Sequence, residues 1–261
     1  MVPPRSPQTP IPVPKNVTMF RVKICGVTTP DDARMVAAAG ADAVGLNFVP
    51  GSPRSLTVES ARLVAAALPA GILRIGVFAG MEPAAARGIA DRVGLDAIQF
   101  HGHLFPPPPG AANPCCDPPE VCRDVAPFPV IRACRLRSDG PATAALEEAR
   151  GWVAAALAAG RAPAMLLVDA GAAPGAAAAS LGGTGVVVDW VRFVAAGDPG
   201  LPVALAGGLT ADNVAAAIAA TGATAVDTAS GVESAPGKKD PERVEAFVSR
   251  ALQALAARAD R

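Results

Sequence analysis

A thiol and a carboxylate, Cys25 and Asp169, stand where an α/β enzyme keeps its reactive groups. Cys25 closes a short apolar run, Phe20–Ile24, that reads as a strand. The residues after it, Val27-Thr28-Thr29-Pro30-Asp31-Asp32, read as a turn and the opening of a helix. Gly26 beside the thiol is expected to let a ligand approach closely. Asp169 follows a second apolar run, Leu166-Leu167-Val168. A carboxylate at the end of a buried strand is costly unless it is paired or working. One acid and one base on opposite sides of a barrel mouth suit moving a proton from carbon to oxygen. The plain alternatives are a buried structural cysteine and a salt-bridged aspartate.

Other groups fall at comparable places. Arg54 follows Pro53 in a loop, and its planar fork can hold a carboxylate bidentately, although most loop arginines are simply solvated. Gln99-Phe100-His101-Gly102 ends another apolar run, and Asp227 ends the last one. Three glycine-rich turns, Gly182-Gly183-Thr184-Gly185, Gly207-Gly208 and Ser230-Gly231, follow the last three expected strands. Glycines let several backbone N–H groups point at one anion, so these turns predict a phosphate-bearing substrate. His101 and His103, with Cys115, Cys116 and Cys122 downstream, match no zinc spacing, and no metal site is expected.

The elements that must position these groups alternate. The expected strands are Phe20–Ile24, Ala43–Phe48, Leu73–Phe78, Ala97–Phe100, Val130–Ala133, Met165–Val168, Val203–Leu205 and Ala225–Asp227. Alanine-rich helical stretches lie between or after them, among them Asp31–Ala39, Val58–Leu68, Pro83–Val93, Ala142–Ala158, Ala211–Ala220 and Pro241–Ala257. Each crossover carries a helix, so the strands pair in parallel, and eight such units favour a closed (β/α)8 TIM barrel over an open sheet. The stretch from His103 to Asp117 holds Pro106-Pro107-Pro108-Pro109 and reads as a proline-rich insertion after strand 4. Residues 1–18 read as a disordered proline-rich extension, and 19–261 as the barrel, with Met19 a natural start.

The bulk numbers narrow the partners. With 51% hydrophobic residues, the 261-residue chain can bury one full barrel core. Its 23 basic and 23 acidic residues cancel, which argues against a nucleic-acid partner. No apolar stretch approaches the roughly 18–20 residues needed to span a bilayer, and residues 1–18 carry no secretory signal, so no membrane partner is expected. Five unevenly spread cysteines do not form a disulfide framework and place the chain in a reducing cytoplasm. A monomer or a homodimer is expected.

Taken together, the motifs resemble the phosphoribosylanthranilate isomerase family of tryptophan biosynthesis. The resemblance rests on Arg21-Val-Lys-Ile-Cys-Gly-Val-Thr28, Gly40-Ala-Asp-Ala-Val-Gly45, Ser52-Pro-Arg54, Gly76-Val-Phe78 and Gln99-Phe-His-Gly102. It continues with Gly182-Gly-Thr-Gly185, Asp189-Trp190, Ala206-Gly-Gly-Leu209, Asp227-Thr-Ala-Ser-Gly-Val-Glu233 and Pro236-Gly-Lys-Lys-Asp240. It implies a barrel that performs an Amadori rearrangement of N-(5-phosphoribosyl)anthranilate to the 1-deoxyribulose 5-phosphate derivative, without cofactor or metal. It further implies that Cys25 is the general base and Asp169 the general acid. Arg54 would hold the anthranilate carboxylate, and Gly183, Gly208, Ser230 and Gly231 the phosphate, while His101 and Asp227 line the site. Four departures stand out: the expanded segment after Gly102, Asn47, the stretch Val186-Val187-Val188 before Asp189, and Ala229. None removes a catalytic group. A histidine-pathway isomerase, which performs the same reaction type, would carry aspartate where Cys25 stands. A non-catalytic phosphate-binding barrel would not need Cys25, Arg54 and Asp169 together.

Overall fold

The computed structural model describes residues 18–102, 117–136, 142–170 and 197–259. Eight parallel strands close into a barrel in chain order. They are β1 Val22–Cys25, β2 Ala43–Asn47, β3 Leu73–Phe78, β4 Ala97–Phe100, β5 Val130–Leu136, β6 Met165–Ala170, β7 Val203–Leu205 and β8 Ala225–Thr228. The helices are α1 Pro30–Ala38, α2 Val58–Ala66, α3 Pro83–Val93, α4 Val121–Asp124, α5 Ala142–Ala158, α6 Val214–Thr221 and α7 Pro241–Ala259. The expected (β/α)8 barrel is what forms. No helix among the described residues is long and apolar enough to cross a membrane.

Local chemistry sets the starts and stops. Thr29 caps α1 by accepting from the Asp32 backbone N–H, and Pro30 occupies the first turn. Thr57 caps α2 through the Ser60 N–H, while Gly94 ends α3 in the left-handed conformation. The helix expected from Ala211 begins only at Val214. Before it, the Asn213 side chain accepts from the Thr210 N–H and donates to the Gly208 carbonyl, which holds a turn instead. The sequence pattern also missed the four-residue α4 and a small antiparallel hairpin after β8, β9 Glu233–Ala235 with β10 Lys238–Lys239. Both are too short to show a period. Of the stretch expected as an insertion, only Asp117 lies among the described residues. Its carboxylate accepts from the Gly102 N–H at 2.8 Å.

Side chains alternate between two environments. Outward-facing residues such as Val22, Ile24, Val44, Leu46, Ile98 and Val226 pack against the helices in one continuous cluster. Inside the barrel, the amino ends of the strands contribute Ala43, Ile75, Ala97, Ile131, Met165 and Ala225 over Phe20. Above this plug the inward positions turn polar: Lys23 on β1, Gln99 on β4 and Asp227 on β8 are all buried. That polar layer is the floor of the mouth at the carboxyl ends of the strands.

Candidate active site

The cleft at that mouth is lined by residues from many strand ends. Cys25, Arg54, His101, Asp169, Asp227 and Ser230 all face it, as does Gly208. Seven of the nine residues expected at the site thus meet in one place. Gly231 is not among the residues that line the cleft, and Gly183 lies outside the described residues.

Cys25 is the last residue of β1, one residue beyond the run expected for that strand. It pairs with Gly45 on β2. A Cβ at position 45 would sit 2.7 Å from the Cys25 sulfur, so the glycine makes room for the thiol at the barrel wall. Below it, on the same face of β1, Lys23 is fully buried and its ammonium donates to Asp227 Oδ2 at 2.9 Å. Burial pushes the Cys25 thiol up and the Asp227 carboxylate pushes it further, while the ammonium groups of Lys23 and Lys239 pull it down; the net direction is up. Burial pulls the Lys23 ammonium down, but Asp227 and Cys25 outweigh it. For Asp227, burial pushes the carboxyl up and Lys23 only partly restores it. We take the pair as ionised at neutral pH, because a buried ammonium with no carboxylate partner would cost far more. The second oxygen of Asp227, Oδ1, has no partner among the described residues and belongs to a residue facing the cleft.

Asp169 is buried near the end of β6, across the barrel from Cys25. At the end of β4, Gln99 Nε2 and the Nε2 of His101, the residue just beyond the strand, lie 2.5 Å apart, which holds the imidazole at the cleft wall.

The glycine turns after β7 and β8 converge. Gly207 and Gly208 after β7 both take positive φ, at 84° and 67°, a turn that residues with side chains resist. Gly231 in the single turn Ser230–Val232 lies so close to this loop that a Cβ would be 1.9 Å from the Leu209 carbonyl oxygen. Thr228 Oγ1 donates to the same carbonyl at 2.7 Å. Gly231 therefore acts by letting the two loops touch, and Gly208 and Ser230 form the surface.

Arg54 is not the solvated loop residue of the plain alternative. It is 7% exposed and bound by the Glu233 carboxylate, with Nε to Oε1 at 2.8 Å and Nη2 to Oε2 at 2.6 Å. Glu233 raises the Arg54 pKa through these bonds. The space over Gly26, expected for a ligand, is taken by the Arg54 stem: a Cβ there would be 2.3 Å from Arg54 Cδ. Lys23, Glu233 and Lys239 carry much of this electrostatics, and reading the strand ends did not single them out. A signal existed for Lys23, since a lysine inside an apolar run must be paired. No group of side chains among the described residues could hold a metal ion.

Fold and site define a barrel enzyme equipped for acid–base chemistry on a small anionic substrate. Comparison with known proteins narrows this. The family model described as N-(5'phosphoribosyl)anthranilate (PRA) isomerase matches residues 22–109 and 134–250. The N-(5'-phosphoribosyl)anthranilate isomerase of Acidithiobacillus ferrooxidans is 41% identical over 234 residues, 89% of this chain and 97% of the relative. The crystal structure of phosphoribosyl anthranilate isomerase from Thermotoga maritima superposes with a TM-score of 0.72 at 33% identity, covering 90% of this chain and all of that one. A second such structure, in complex with reduced 1-(o-carboxyphenylamino)-1-deoxyribulose 5-phosphate, gives 0.70 at 32% identity, covering 90% of this chain and 100% of that chain. The chain belongs to the N-(5'-phosphoribosyl)anthranilate isomerase family.

Proposed function

We propose that this cleft rearranges N-(5'-phosphoribosyl)anthranilate to 1-(2-carboxyphenylamino)-1-deoxyribulose 5-phosphate, the isomerase step that family membership assigns to the chain. Asp169 gives a proton to the furanose ring oxygen, and the ring opens to a Schiff-base cation. The Cys25 thiolate takes the proton from sugar C2, and the resulting enolamine becomes the ketose on reprotonation. No atom is gained or lost. Arg54 grips the anthranilate carboxylate, the loops at Gly183, Gly208, Ser230 and Gly231 bind the phosphate, and His101 and Asp227 line the sugar between them. The observation that carries this reading is that Cys25 and Asp169 face one cleft between the Arg54 loop and the glycine turns.

No resident cofactor or metal is needed, because both protons move between side chains and substrate. We read the stretch from His103 to Asp117 as an insertion outside this chemistry and the working form as cytoplasmic, monomer or homodimer. The test is turnover, followed by the anthranilate fluorescence change. Cys25→Ser should keep the fold and lose roughly 10²-fold or more in kcat, as expected for a missing general base. Near-normal turnover by this variant would refute the assignment.

A further inference from the structure

Arg54 presents a difficulty if it grips the substrate carboxylate, because a carboxylate of the protein already holds it. The geometry resolves this. A guanidinium offers five N–H donors on a rigid plane. Glu233 takes the side edge, Nε and one hydrogen of Nη2. The end edge, Nη1 with the second hydrogen of Nη2, carries no hydrogen bond among the described residues, and Arg54 faces the cleft. Charge is settled by a third group. Lys239 is buried and donates from Nζ to Glu233 Oε1 at 2.8 Å. Arg54, Glu233 and Lys239 therefore sum to one positive charge, which is what an incoming anion needs. The same ammonium donates to the Cys25 carbonyl at 2.6 Å and to the Ala229 carbonyl at 3.1 Å, so the cluster also ties down the backbone that carries the thiol.

We propose that Glu233 is a positioning residue for substrate recognition: it holds the side edge of Arg54 so that the end edge meets the anthranilate carboxylate, with Lys239 restoring the positive charge. The proposal rests on the reading of Arg54 as the carboxylate grip. It fits the way the arrangement is packed. The Arg54 stem lies over Gly26 and cannot swing down, and the hairpin bearing Glu233 and Lys239 is fixed by Thr28 Oγ1 donating to the Gly237 carbonyl at 2.7 Å. A bidentate pair adds direction as well as energy.

The experiment compares two substrates, N-(5'-phosphoribosyl)anthranilate and the aniline analogue without the carboxylate. The variants are Arg54→Ala, Glu233→Gln, the double variant Glu233→Gln/Lys239→Met, and the combination of Arg54→Ala with Glu233→Gln. Glu233→Gln leaves two buried cations side by side and can fail to fold. The double variant removes one charge of each sign and keeps the net charge at the wild-type value, so it decides the matter if the single one unfolds. The expected result for both Glu233 variants is a KM for the anthranilate substrate raised about tenfold or more, the low end for a charged hydrogen bond; the fall in kcat that Lys239→Met brings by freeing the Cys25 carbonyl should be the same on both substrates. The KM for the aniline analogue should stay within about twofold. Once Arg54 is alanine, Glu233→Gln should add nothing further to KM for anthranilate. Equal rises in KM on both compounds from the Glu233 variants, or an unchanged KM for anthranilate, would overturn the proposal while leaving Arg54 in place. Equal losses from Arg54→Ala itself would overturn the underlying reading and the proposal with it.

Discussion

Replacing Lys23 with methionine asks what the buried ammonium does for Cys25. The two residues are alternate positions of β1 and share its inward face. At a strand rise of about 3.3 Å per residue their α-carbons are about 6.6 Å apart. At an effective dielectric of about 20, two unit charges at that separation interact by about 2.5 kcal/mol. Removing the cation therefore disfavours the thiolate by an amount of that order, and the side-chain hydrogen bond between Lys23 and Cys25 is lost with it. Asp227, left without its partner, takes up a proton, and its lost repulsion returns part of the sum. The remainder corresponds to about tenfold less thiolate at a fixed pH, since 1.36 kcal/mol is tenfold. The assay is alkylation of Cys25 by iodoacetamide, followed peptide by peptide over a pH series. Cys122 and Cys134 serve as internal controls, since burial pushes their thiols up to about 12 and about 11. Because the Cys25 thiol is already raised, its alkylation and kcat/KM should both climb with pH above neutrality in the wild type. In Lys23→Met the climb should shift to higher pH, with the same rate at its alkaline plateau. Breaking a buried pair costs about 3–5 kcal/mol, so Lys23→Met/Asp227→Asn is measured beside it as the more stable form. Superimposable alkylation profiles for wild type and both variants would refute the reasoning.

Two further outcomes follow from the same site. Asp169→Asn should bind product about normally and lose roughly 10²- to 10⁴-fold in kcat, because the amide keeps the shape but has no proton to give; a variant that keeps its rate and loses only affinity would make Asp169 a binding residue and Asp227 the first alternative acid. For Glu233, burial pushes the carboxyl up, but the bonds from Arg54 and Lys239 outweigh it and hold it below the usual range. A depressed carboxylate contributes its full stability above the unfolded value of about 4.3 and loses it as pH falls through the folded one. The difference in thermal midpoint between wild type and Glu233→Gln should thus stay constant from about pH 8 to 5 and shrink below about 4; a difference that instead shrinks toward alkaline pH would contradict the sign.

The elements that a local pattern can specify were legible, and those that depend on distant partners were not. The strands were readable because β2, β3 and β4 are short buried runs bounded by glycine and polar residues. Their ends drifted where an inward polar residue continues the strand. β1 runs on to Cys25 and β6 to Ala170, because parallel pairing with a neighbour, and not hydropathy, decides where a strand stops. Cys25, Asp169 and Asp227 could be read from strand ends alone. Glu233 could not, because its partner Arg54 is 179 positions away and nothing in Glu233's own surroundings marks it as buried. Gly26 was read correctly as a site of close approach, but the group that approaches is an arginine of the same chain.

The bond from Lys239 to the Cys25 carbonyl spans 214 positions, and β1 closes the barrel by pairing with β8. The thiol is thus made 214 residues before Lys239, and its supporting backbone is completed only when residues near position 239 have emerged. At synthesis rates of about 5–20 residues per second, the thiol is exposed without its neighbours for about 10 s or more. During that interval it is an ordinary cysteine on an unfinished sheet. Catalytic competence and barrel closure therefore arrive together, so turnover by chains released at successive lengths would report the moment at which the last strand joins the first.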